Sequence, residues 1–95
     1  MYYIMQNMRP RRAQFFEFAA WYETHDRTID RTKIGDVLVS TVFRGIDHSG
    51  GEGPPLIFET RVSGRALDGE TRRYATLGEA KRGHYDVVDA VLASL

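Results

Sequence analysis

The chain has 95 residues, of which 42% are hydrophobic and 12% aromatic, and its thirteen basic and thirteen acidic side chains cancel. These values describe one small folded domain rather than a disordered tail, with no net field to draw it to nucleic acid or an anionic membrane, although a local basic patch stays compatible with them. Cysteine is absent, which excludes disulfides, thiolate catalysis and cysteine-ligated zinc and fits a reducing cytoplasm.

Tyr2 to Met5 is a short apolar run that reads as an edge strand, and Pro10 suits the first turn of a helix, where its missing N–H costs nothing. The spacing predicts a helix over about Ala13 to Thr24, with Phe15, Phe18, Ala19 and Tyr22 facing the core and Phe16 and Trp21 flanking that stripe. From Arg27 to Phe43 the pattern reads as a hairpin about a Gly35-Asp36 turn of the II′ kind, with Thr28, Ile29, Thr32 and Ile34 as strand formers. Counting back from the turn pairs Ile34 with Val37, Thr32 with Val39 and Ile29 with Val42. Both faces of the second strand are largely apolar, the mark of a central strand.

A nine-residue loop, DHSGGEGPP, follows, and then a strand in which Leu56, Phe58, Thr60 and Val62 point one way and Ile57, Glu59, Arg61 and Ser63 the other. Glu70 to Ala75 is a short last strand. Thr76 and Glu79 form a capping box that opens a closing helix, with Leu77, Ala80, His84, Val87, Val88, Val91 and Leu95 along one face. Gly83 in mid-helix costs about 1 kcal/mol relative to alanine, so close packing against the sheet is its expected reason. The expected fold is one α+β domain over residues 1–95, an antiparallel sheet of four or five strands with two helices packed on it.

No catalytic motif stands out. The glycine-rich loop lacks the Gly-Lys-Ser/Thr ending of a phosphate-binding loop and runs into Pro-Pro and a strand, so a mobile or tightly turned surface loop is its expected form. Asp47, His48, Glu59 and His84 are the residues a carboxylate–imidazole cluster would use, for a divalent metal or for acid–base work, but their spacing matches no ligand motif. His84 lies on the apolar stripe of its helix, which predicts a buried neutral ring held by a hydrogen bond; Asp47, at a strand end, is placed to accept N–H bonds from the turn after it. Arg9, Arg11 and Arg12 form one basic cluster and Arg72, Arg73, Lys81 and Arg82 another, each expected to be a solvated face. Phe16 and Trp21, with Arg11 and Arg12 near by, are the expected anchors of an interaction surface, because aromatic and arginine side chains dominate hot spots.

Three blocks, FAAWYETHDRTIDRTKIGDVLVSTVFRGIDH, GEGPPLIFETRV and RYATLGEAKRGHYDVV, resemble a family of small proteins recurrent in bacteriophage and prophage genomes. That family typically reads W-A-x-W-F-E, V-S-T-V-F-L-G-L-D-H, G-P-P-L-L-F-E-T-M-V-F and R-Y-x-T-x-x-E-A-x-x-G-H. The likeness spans about Phe18 to Val88; Phe18 stands where the pattern often has Trp, Arg44 for Leu and Arg61 for Met. It implies a phage origin and the cytoplasm of a bacterial host rather than a reaction, and it puts Asp47, His48, Glu59, Tyr74 and His84 on the family's polar motif positions.

The function expected from all this is non-enzymatic binding to a host or phage macromolecule, for which inhibition of a bacterial defence in the manner of an anti-CRISPR is the phage-like form. A protein partner is expected, or a second copy of the chain through the same patch. No cofactor and no membrane partner are expected. The alternatives are a small metal-dependent enzyme using Asp47, His48, Glu59 and His84, and a nucleic-acid-binding regulator using the arginine clusters.

Overall fold

The computed structural model describes residues 1–47 and 49–95; His48 lies outside the described residues. The fold is α+β, as expected. Strands β1 (Tyr2–Gln6) and β2 (Arg9–Ala13) form a hairpin, helix α1 (Phe15–Thr24) follows, and β3 (Thr28–Ile34), β4 (Val37–Phe43), β5 (Phe58–Ser63) and β6 (Thr71–Tyr74) form a four-stranded antiparallel sheet in that order. Helix α2 (Leu77–Ser94) closes the chain.

The strand β2 is a departure from the expectation that Pro10 opens a helix. Asn7 and Met8 take positive φ values of 52° and 63°, so they turn the chain back and set Gln6 opposite Arg9 and Met5 opposite Pro10. In such a two-residue hairpin the second pair is not hydrogen-bonded, so the N–H that Pro10 lacks would have faced the free edge. Helix α1 therefore starts two residues later than its spacing suggested, at Phe15.

The Gly35-Asp36 turn is present, with Gly35 at φ +60° and Ile34 opposite Val37. One detail of the predicted register changes. A bulge between Thr28 and Asp30 puts Thr28 rather than Ile29 opposite Val42, and Ile29 turns instead onto the cluster of Phe43, Ile57, Phe58 and Ala80.

Both helices approach the same face of the sheet. Its residues Val37, Val39, Thr41 and Phe43 on β4 and Phe58, Thr60 and Val62 on β5 are buried, beneath Ala80, His84, Val87, Val88 and Val91 of α2. Helix α1 lies against β1 and reaches the sheet through Trp21, whose ring meets Phe43 edge-on at 5.4 Å. The capping box is complete: Thr76 Oγ1 accepts from the Glu79 N–H and Glu79 Oε1 accepts from the Thr76 N–H. Gly83 lets α2 close onto the sheet as expected, since a Cβ there would enter the Tyr74 ring. Gly45 is the joint between the two halves. At φ +72° it accepts the Tyr3 N–H on its carbonyl, and a Cβ would come within 2.6 Å of both Phe18 and the Tyr3 carbonyl.

Candidate functional site

Among the described residues, Asp47, Glu59 and His84 do not meet. Asp47 organises the glycine loop: Oδ1 accepts the N–H groups of Ser49 and Leu56 and Oδ2 accepts the Ser49 hydroxyl. Those bonds to Ser49 first, then to Leu56, hold its carboxyl below the usual range. The loop turns its own donors inward, with the Gly51 N–H on Ser49 Oγ and the Glu52 N–H on the Ser49 carbonyl, which is the tightly turned of the two expected forms.

Glu59 is buried on the sheet face opposite α2, where Oε2 accepts from Arg44 at 2.9 Å and Oε1 from Arg73 at 3.3 Å. His84 is on the other face, fully buried, with Nε2 2.8 Å from Thr32 Oγ1 and Nδ1 2.7 Å from Thr41 Oγ1. Thr41 in turn meets Thr60 at 2.5 Å. One hydroxyl donates to the imidazole and the other accepts from it, so a neutral ring satisfies the whole chain of contacts. Burial lowers the His84 pKa, and the Asp30 carboxylate, 3.9 Å from Nε2, only partly offsets this. The predicted buried histidine is found, held by two hydroxyls from distant strands rather than by one local bond. Tyr74 lies under α2 beside Gly83, with its hydroxyl buried and unpartnered among the described residues.

Glu59 and His84 thus stand on opposite sides of one sheet, and Asp47 is in a loop beyond its end. Among the described residues no three His, Asp or Glu side chains gather to hold a metal.

The aromatic anchors are divided by the fold. Phe16 is 87% exposed and Phe15 55%, against an expectation that Phe15 faces the core. The reason is that α1 packs on the β1–β2 hairpin, so Phe18 is its buried residue and Phe15 is left beside Tyr2, ring centres 5.3 Å apart. Trp21 is half-buried, stacked on His25 at 4.8 Å and wedged against Phe43, so most of its surface serves the core rather than a partner. Arg11 lies near this aromatic end, paired with Glu17 at 2.5 Å, and Arg12 is exposed next to it. Tyr2, Arg12, Gln14 and Phe15 line an open groove there.

A second surface escaped sequence reasoning. The strand register puts Arg31 and Lys33 of β3, Arg61 of β5 and Arg73 of β6 on the face away from α2, with Arg44 just past β4. These residues lie far apart in sequence, and only the pairing of strands brings them together. Comparison with protein-family models, curated proteins and solved structures found no match to the chain.

Proposed function

We propose that the protein acts by binding another protein, stoichiometrically and without chemistry, through the aromatic end of the molecule. The observation that carries this is the exposure of Phe15 and Phe16, at 55% and 87%, side by side at the start of α1 with Arg11 and Arg12 adjacent. Two neighbouring phenylalanines left in water offer a large apolar area that the fold does not use, and arginine supplies directional bonds at its rim. The phage-family resemblance supports a host or phage protein as the target, and inhibition of a bacterial defence complex as the outcome.

The metal-enzyme alternative has less behind it, because Asp47, Glu59 and His84 are each committed to separate structural contacts. The test begins with the mass in solution, since a second copy of the chain would cover the same patch. Phe15→Ser with Phe16→Ser should leave the fold intact, abolish capture of the partner from infected cells and abolish its one-to-one inhibition. If the doubly substituted protein stays active, or if the wild type acts when greatly outnumbered by its target, the binding proposal fails.

A further inference from the structure

The sheet face opposite α2 carries five cations and one carboxylate. Arg31, Lys33, Arg44, Arg61 and Arg73 stand around Glu59, and the carboxylate is already neutralised by Arg44 and Arg73. The chain as a whole has no net charge, so four excess positive charges here are balanced by four excess negative charges over the rest of the molecule. Arg31, Lys33 and Arg61 are exposed and make no ion pair among the described residues.

The arrangement is ordered. Arg31 is opposite Ser40, Ser40 opposite Arg61 and Arg61 opposite Thr71, which draws a line of donors across all four strands. With strands roughly 4.8 Å apart that line is about 14 Å long. Beside it, half-buried Leu38 and Val42 give an apolar floor to an open concavity of about 240 Å³, which Ser40, Arg44, Glu59 and Arg61 also line.

We infer that this face binds the phosphate backbone of a single-stranded nucleic acid, a role separate from the protein contact at the aromatic end. Arginine, lysine and hydroxyl groups are the side chains that contact phosphate. A single strand fits better than a duplex because the apolar floor can take an unstacked base, which a duplex keeps inside, and guanidinium planes can stack on it. Among the described residues no aromatic ring stands on this face, so recognition is of the backbone and largely independent of sequence. A second copy of the chain is disfavoured, because two such faces repel.

The probe is a fluorescein-labelled oligothymidylate of about twelve nucleotides, within the site sizes of such proteins, read by anisotropy with the full chain. Four phosphate contacts predict a fall in affinity of about fifty-fold between about 50 and 200 mM salt. Arg31→Glu with Arg61→Glu should weaken binding by about tenfold or more and flatten the salt dependence by about 1.4 logarithmic units per decade. Arg82→Glu, the same kind of charge change on α2, should bind as the wild type does. Unimpaired binding by the double variant, equal binding of polyglutamate, or tighter binding of a duplex of equal length each overturns the inference. Capture of the protein partner should be unaffected by Arg31→Glu with Arg61→Glu, which separates failure here from failure at the aromatic end.

Discussion

Along β4, Val39 and Thr41 are sealed beneath α2, while Ser40 and Val42, their chain neighbours, stay half-exposed on the other side. The same strand thus supplies a dry face and a wet one, and polar groups are handled differently on each. On the dry face both nitrogens of His84 have a hydroxyl partner, which avoids a cost of about 1–3 kcal/mol per unpaired polar group, while the Tyr74 hydroxyl there has none among the described residues. On the wet face three cations keep no ion-pair partner among the described residues, because exposed charges are met by water. What holds the fold together lies on one side, and what is free to meet another molecule lies on the other side and at the aromatic end.

The strongest way to break this division is on the dry side. His84→Ala opens a cavity, strips the Thr32 hydroxyl of its partner and leaves the Thr41 hydroxyl with Thr60 alone, and should lower stability by about 4 kcal/mol. That is a large share of the 5–15 kcal/mol expected of a domain this size. Because Thr41 depends on the ring, Thr41→Val should cost much less in the His84→Ala background than alone, and urea denaturation of the double-mutant cycle measures the coupling. Additive losses would mean that the two residues act independently.

Gly83→Ala is the next step down, and here two effects oppose. Alanine gains about 1 kcal/mol of helix propensity over glycine, whereas forcing a methyl into the Tyr74 ring costs about 1–3 kcal/mol. Packing should win, giving a net loss of up to about 2 kcal/mol that thermal unfolding will show. A rise in melting temperature would mean that α2 does not press on Tyr74 at all.

A third test uses pH. Burial lowers the His84 pKa, so the unfolded state binds a proton that the folded state refuses. The contribution is therefore fully present above the unfolded value of about 6.5 and is lost as pH falls below it, by at most about 1.4 kcal/mol per pH unit. Asp47, whose carboxyl is lowered by its bonds to Ser49, loses its contribution only at more acid pH, below the ordinary carboxylate range. Unfolding between pH 7.5 and 5.5 should show the loss, and His84→Gln should remove it. A wild-type profile that is flat in this window would mean that the imidazole takes up its proton as readily in the folded as in the unfolded state.

Parts of this division were legible in the sequence. The burial of His84 follows from its place on a helical stripe, and the Thr76–Glu79 cap is written in four residues. The partners of His84 were not, because Thr32 and Thr41 lie 52 and 43 residues away and only the strand register brings them near. The β2 strand escaped because Asn7-Met8 lacks the glycine that usually marks such a turn. The exposure of Phe15 escaped because a helical period tells which residues share a face but not which element that face meets. The cationic face escaped for a similar reason: alternation sets Arg61 on the same side as Glu59, but nothing local brings Arg31 and Lys33 to that face or says that no helix will cover it.

The smallest expected effect is the one that keeps the wet face separable from the fold. Arg31→Glu with Arg61→Glu should change unfolding free energy by no more than about 0.5 kcal/mol, the usual range for exposed positions. Neither arginine makes an ion pair or a side-chain hydrogen bond among the described residues. The new carboxylates would sit among Lys33, Arg44 and Arg73, where mutual repulsion of cations is relieved, so any small change should be stabilising at low salt and vanish as salt screens it. Urea denaturation at low and high ionic strength reads both. A loss of about 2 kcal/mol or more would mean that the aliphatic stems of these arginines cover Leu38 and Val42 as part of the core, and the distinction between the two faces would fall.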